Sequence, residues 1–128
     1  MTLKTLALSA TLTLAASISF AGGMVEGVKS MDTANGMVLT DSNGMTQYTF
    51  DKDSGGKSMC NGGCAVKWPP LMAPAGAEDH DGFTVITRDD GSMQWAHDGW
   101  PLYGWVNDKA MGDITGDGVG GVWHLARP

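Results

Sequence analysis

The chain has 128 residues, with 14 acidic against 8 basic side chains, a formal net charge of -6 at pH 7 and 19 glycines. A surface this acidic repels phosphate backbones and anionic lipid, which argues against nucleic-acid binding or a polybasic membrane patch. The length suits one small domain with a modest core, and the many glycines with no long 3.6-residue apolar stripe make helix a minor component.

Met1 to Lys4 place one lysine before Leu6–Phe20, an uncharged run of Leu, Ala, Ser and Thr. This pattern predicts a secretory signal peptide over residues 1–21, with Ser19 and Ala21 as the small residues before cleavage. The run falls short of the roughly 20 residues needed to span a bilayer, and no later segment is long enough. The mature protein is therefore expected to begin at Gly22, to carry a charge of -7 after losing Lys4, and to be soluble in the periplasm or secreted.

Residues 22–35 read as a loosely held N-terminal arm. Strands are predicted over 37–40 and 45–50, joined by Asp41-Ser42-Asn43-Gly44, whose Asn-Gly step favours a hairpin. The only cysteines, Cys60 and Cys64, flank Asn61-Gly62-Gly63. In an oxidising compartment they read as a disulfide, with a redox or metal role and free thiols as the alternatives. Closing so short a loop stabilises by about 2 kcal/mol. A short helical turn is expected near Ala65–Trp68 and another near Asn107–Met111. Residues 74–90 connect two units, with Pro74–Gly82 as an exposed acidic stretch. Further strands are predicted over 83–87, 92–96, 102–106 and 122–125, the first two joined across Asp90-Gly91.

The second half repeats the first at an offset of 55 residues: Gly36 matches Gly91, Gly44 matches Gly99, Tyr48 matches Tyr103, Phe50 matches Trp105, Asp53 matches Asp108 and Trp68 matches Trp123. Repetition changes the unit of interpretation. Residues 36–128 are expected to be one domain of two repeats, 36–73 and 91–128. Within each, the tyrosine and the aromatic two residues later share one strand face, and the aspartate is expected to fix the following turn by accepting backbone hydrogen bonds. Tyr48, Phe50, Trp68, Tyr103, Trp105 and Trp123 are the predicted core. The fold class is mostly β: a compact, pseudo-symmetric sandwich or partly open barrel built from two similar units.

The doubled Tyr-x-[Phe/Trp]-x-x-Asp motif, Cys60-x3-Cys64 leading to Trp68-Pro69-Pro70-Leu71, and Gly112-Asp113 through Gly116-Asp117-Gly118 to Val122-Trp123-His124-Leu125 together resemble a bacterial family called secreted repeat of unknown function. Its members are often described as predicted lipoproteins with a Yx(FWY)xxD motif. The resemblance spans about residues 36–128 and implies export and a repeat fold, without an agreed activity. Residues 1–59 contain no cysteine, so lipid attachment does not carry over.

Candidate metal ligands are His97, His124, Asp51, Asp53, Asp113 and Asp117. Imidazole suits transition metals and converging loop carboxylates suit calcium. The eight mature methionines raise copper, but they form no M-x-M cluster, and gap-filling accounts for Met37, Met45 and Met93 in strands. No nucleophile elbow, H-E-x-x-H, phosphate loop or C-x-x-C is present, so no catalytic residue is assigned and the protein is expected not to be an enzyme. Trp100, beside Pro101, is the expected exposed aromatic and partner contact. The leading expectation is a noncatalytic exported binding or structural module of the bacterial envelope, acting on an envelope protein or small ligand. No cofactor is predicted. The alternative is a periplasmic metal-binding protein for copper or calcium.

Overall fold

The computed structural model describes residues 24–128. The predicted signal peptide and its cleavage point lie outside the described residues. Seven strands are present among the described residues: β1 (Val28–Thr33), β2 (Gly36–Asp41), β3 (Tyr48–Phe50), β4 (Phe83–Thr87), β5 (Met93–His97), β6 (Trp100–Pro101) and β7 (Trp123–Leu125). A short helix, α1 (Gly63–Lys67), and a 3-10 turn at Val119–Gly121 complete the elements. All strand pairing within the sheets is antiparallel: β1 with β2, β3 with β7, and β4-β5-β6 in order. The described residues are thus mostly β, in three small antiparallel sheets that neither share one continuous barrel sheet nor reduce to the two similar sheets of the expected sandwich.

Residues 22–35 are not simply a loose arm, because Val28–Thr33 form β1 and Val28 is buried. The reason lies in an Asn-Gly step at Asn35-Gly36. Thr33 Oγ1 donates to the Gly36 carbonyl at 2.8 Å and accepts the Asn35 N–H at 3.1 Å, and Gly36 takes a φ of 93°, which a side chain would resist. The connection 74–90 likewise contains β4, paired residue for residue with β5.

The turn predicted at Asp41–Gly44 forms, with the Asp41 N–H donating to the Met45 carbonyl at 2.9 Å and Asp41 Oδ1 accepting the Asn43 and Met45 N–H groups, but the strand expected over 45–50 is reduced to Tyr48–Phe50 and only an isolated bridge, Thr40 to Thr46, joins the two arms. The chain then turns away, so β3 pairs with β7 at the other end of the sequence. The strand expected over 102–106 does not form: β6 ends at Pro101, and within 102–106 only Tyr103 makes isolated bridges. Tyr103 bridges Pro70, and the Gly104 and Val106 N–H groups donate to the Pro69 and Lys67 carbonyls. Pro69 and Pro70 have no N–H to return, so no ladder forms. The corresponding pairing of β3 with β7 has His124 and Leu125 in those places and does form one. The helical turn near Ala65–Trp68 is present as α1, whereas Asn107–Met111 is turn and bend.

The core has two parts. The first contains Val38, Tyr48, Phe50, Cys60, Trp68, Tyr103, Trp123 and Leu125, with Trp105 packed against it. The second contains Val28, Leu39, Phe83, Trp95, Leu102 and Ala126. Adjacent residues of β2 serve both, Val38 entering one and Leu39 the other, because strand side chains alternate between faces. Trp95 builds this second core, which the motif alone does not reveal.

Candidate functional site

The motif residues meet at the centre of the molecule. The backbones of Tyr48 and Tyr103 exchange hydrogen bonds, N–H to carbonyl in each direction, at 2.7 and 3.0 Å. Their hydroxyls then cross to the other repeat. Tyr48 Oη donates to Asp108 Oδ2 at 2.6 Å, and Tyr103 Oη donates to Asp53 Oδ2 at 2.7 Å. Each aspartate uses its second oxygen locally: Asp53 Oδ1 accepts the Met59 N–H, while Asp108 Oδ1 accepts the Thr115 N–H and hydroxyl. The aspartates therefore do fix their turns, and each also fastens the opposite repeat.

Between these pairs lies a column of four rings, Phe50, Trp123, Trp68 and Trp105, with successive centroids 4.2, 3.7 and 3.9 Å apart. Tyr48 and Tyr103 meet Trp68 and Trp123 edge-on, an arrangement that places positive ring edges against negative faces. Gly116 lies against the rings of Tyr48 and Trp68: a Cβ there would lie 2.8 Å from Tyr48 Cζ and 3.0 Å from Trp68 Cζ3.

Burial raises both tyrosines well above the ordinary tyrosine range. For Tyr48 the Asp108 carboxylate adds to the effect; for Tyr103 the Ser58 hydrogen bond opposes it and Asp53 adds to it. Burial also raises Asp53 above the usual carboxylate value, against the lowering effect of its hydrogen bonds from Met59 and Tyr103. Arg88, buried and missed in the sequence, extends this network. Its Nη1 donates to Ser58 Oγ and Gln94 Oε1, and its Nη2 donates to the Cys60 carbonyl and Asn61 Oδ1. Cys60 and Cys64 form the expected disulfide. The phenols, the two motif carboxylates and the guanidinium all find partners within the fold, an arrangement suited to specifying structure.

The candidate metal ligands are dispersed. Asp53 is committed to Tyr103. Asp113 accepts the Lys109 and Ala110 N–H groups, which hold its carboxyl below the usual range. Asp117 accepts the Leu125 N–H at 3.3 Å. His97 lies against Phe83, with ring centroids 4.5 Å apart. Asp51 and His124 alone among the six come together, Oδ2 to Nε2 at 2.8 Å, on the exposed face of β3 and β7. Among the described residues no group of three His, Cys, Asp or Glu side chains gathers to hold an ion.

Trp100 occupies a different setting. Two turns of the same His-Asp-Gly-aromatic pattern, His80-Asp81-Gly82-Phe83 and His97-Asp98-Gly99-Trp100, lie side by side: His80 bridges Phe83, Phe83 pairs with His97, and His97 pairs with Trp100. Both aspartates have positive φ, 49° and 51°, and both glycines 87°, the two-residue turn that Asp-Gly favours. This second, shorter duplication was legible in the sequence as two His-Asp-Gly-aromatic strings. The Trp100 side of the row is open. Its indole, 41% exposed, stands between a cleft of about 290 Å³ at Ser54, Gly55 and Gly56 and one of about 220 Å³ at Thr49, His97 and Arg127, with Asp98 bordering both. Arg127 Nη1 is anchored on the Asn35 and Met37 carbonyls. An aromatic face with carboxylate, hydroxyl and guanidinium groups at its rim can stack on a ligand and orient it by hydrogen bonds.

No helix among the described residues is long and apolar enough to cross a membrane. No curated protein and no solved structure matches the chain. The family model for the secreted repeat of unknown function matches twice, over residues 29–72 and 84–127. These segments keep the offset of 55 but start seven residues before the boundaries 36–73 and 91–128 read from the motif, so that each takes in most of its first strand, β1 or β4. With both copies matched and the motif residues of each joined at the centre of the fold, the chain belongs to the family of secreted repeats of unknown function.

Proposed function

We propose that this exported repeat protein is a noncatalytic binding module of the bacterial envelope, and that Trp100 is the centre of its contact surface. The observation that carries this reading is the contrast between the two aromatic settings. The motif rings are packed together and both tyrosine hydroxyls are paired, whereas Trp100 stands on a ridge between two clefts with Asp98, Thr49 and Arg127 around it. Exposed aromatic anchors flanked by polar groups are a common basis of ligand and partner contact. We further infer that the two repeats form a pseudo-two-fold unit, since the Tyr48–Asp108 and Tyr103–Asp53 hydrogen bonds and the ring contacts recur at the repeat offset. Such a unit supplies a rigid base for the Trp100 ridge.

The test is titration of isotope-labelled mature protein with a mixture of cell-wall muropeptides, which present both sugar rings and peptide, followed by nuclear magnetic resonance. Shifts centred on the Trp100 indole N–H, Asp98 and Arg127, abolished in Trp100→Ala, are the expected result. The substitution should change stability by no more than about 0.5 kcal/mol, as for an exposed side chain. Binding that survives Trp100→Ala unchanged, or no binding at all, would contradict the assignment.

A further inference from the structure

The methionines are placed opposite to their ordinary habit. Methionine is among the residues most often found fully buried, and the expectation for Met37, Met45 and Met93 was that they fill gaps in the core. No methionine belongs to the buried core of the described residues. Met37, Met59, Met72, Met93 and Met111 are 45, 54, 48, 43 and 62% exposed, and they make up five of the eight exposed large hydrophobic side chains among the described residues. Met24, Met31 and Met45 are half-buried. The interior is built instead from Trp, Tyr, Phe, Leu and Val. Among the described residues there is no free cysteine, both sulfurs of the pair being joined. The sulfur this chain offers to solvent in oxidisable form is therefore thioether sulfur, spread over β2, β5 and the loops.

We infer that these exposed methionines form a renewable sink for two-electron oxidants of the hypochlorous acid and hydroperoxide class. The chemistry balances without a metal. A thioether forms one sulfur–oxygen bond, its sulfur losing two electrons. The O–Cl bond of hypochlorous acid breaks, and the oxidant leaves as chloride and a proton; with hydrogen peroxide the O–O bond breaks and water leaves. A thiol-dependent methionine sulfoxide reductase reverses the change, the sulfoxide oxygen departing as water while two thiols become a disulfide. Oxidation makes a flexible apolar side chain polar, which disrupts a core that contains it. Here the sulfoxide forms where water already reaches, so the fold should survive repeated cycles. The dispersal of the sulfurs also favours a sink over a copper site, which needs several thioethers converging on one ion.

The experiment adds hypochlorite to the mature protein in steps of one equivalent and locates each added oxygen by peptide mass spectrometry. Oxygen is expected on Met37, Met59, Met72, Met93 and Met111 before any tryptophan changes, with near-ultraviolet circular dichroism and the disulfide intact, and reductase with thiol should restore the starting mass. Replacing all five by leucine should lower the oxidant consumed by about five equivalents per chain. In cells lacking the protein, the wild-type chain should restore hypochlorite tolerance and the five-leucine chain should not. Should that chain fail to fold, Met59→Leu and Met111→Leu singly should each remove one equivalent. Oxidation that unfolds the protein, early loss of tryptophan, equal protection by the leucine chain, or stoichiometric cuprous ion bound by the wild type and lost in the leucine chain would each overturn the inference.

Discussion

Tyr48 and Tyr103 are the chain's two tyrosines, and each ends on a carboxylate of the other repeat at 2.6 to 2.7 Å. Their burial has a consequence for alkaline stability. Both folded tyrosines hold their protons above the ordinary value of 10.0, while the unfolded chain releases them near it. Above pH 10 the native state therefore binds more protons than the unfolded one, so stability falls as pH rises through that value. Melting temperature should drop steeply from about pH 10 upward, and tyrosinate absorbance should appear only on unfolding, from both residues together. Ionisation of either in the folded protein near pH 10 would show that it is not held as described. The turn-fixing role of Asp53 and Asp108 could be read from their place after a strand. The phenol that each receives could not, because it comes from 50 or 60 residues away in the chain and periodicity carries no information about cross-repeat partners.

Among the elements, local chemistry determined what was legible. The Asn43-Gly44 turn and the β4–β5 hairpin announce themselves through turn residues, and α1 through the short stretch before Trp68. β1 was hidden because it holds no motif residue, although Asn35-Gly36 marks its turn. The short pairing around Tyr103 follows from Pro69 and Pro70, a departure between repeats that the matching aromatics obscure. Arg88 shows the same limit. In the sequence it is one basic residue in a turn; in the fold it joins the β4–β5 hairpin to the disulfide loop through Gln94, Ser58, Cys60 and Asn61. Removing Arg88 leaves neutral acceptors of Ser58, Gln94 and Cys60 without their donor, a loss of about 3 kcal/mol, whereas opening so short a disulfide loop should cost about 2 kcal/mol. Urea denaturation of Arg88→Ala beside Cys60→Ser/Cys64→Ser should give that order. A disulfide variant much less stable than Arg88→Ala would mean that the bridge, and not the guanidinium, holds the loop.

At the scale of the molecule, the sequence motif that marks the family lies inside, and Trp100 and the methionines make up most of the large apolar side chains exposed among the described residues. The metal candidates spread over several turns for the same reason: most of those aspartates are engaged in shaping the backbone around the aromatic column. The Trp100 ridge was partly legible, since a tryptophan beside a turn proline is poorly placed for a core, but its clefts depend on Thr49, Ser54 and Arg127 arriving from distant segments. If reciprocal tyrosine–aspartate bonds are what join the two repeats, their energies must be coupled across the chain. The most direct measurement is a double-mutant cycle by urea denaturation on Tyr48→Phe and Asp108→Asn, with Tyr103→Phe and Asp53→Asn as the second pair. Each pair should show a coupling on the order of 1 kcal/mol; losses that simply add, within about 0.3 kcal/mol, would contradict a latch between the repeats.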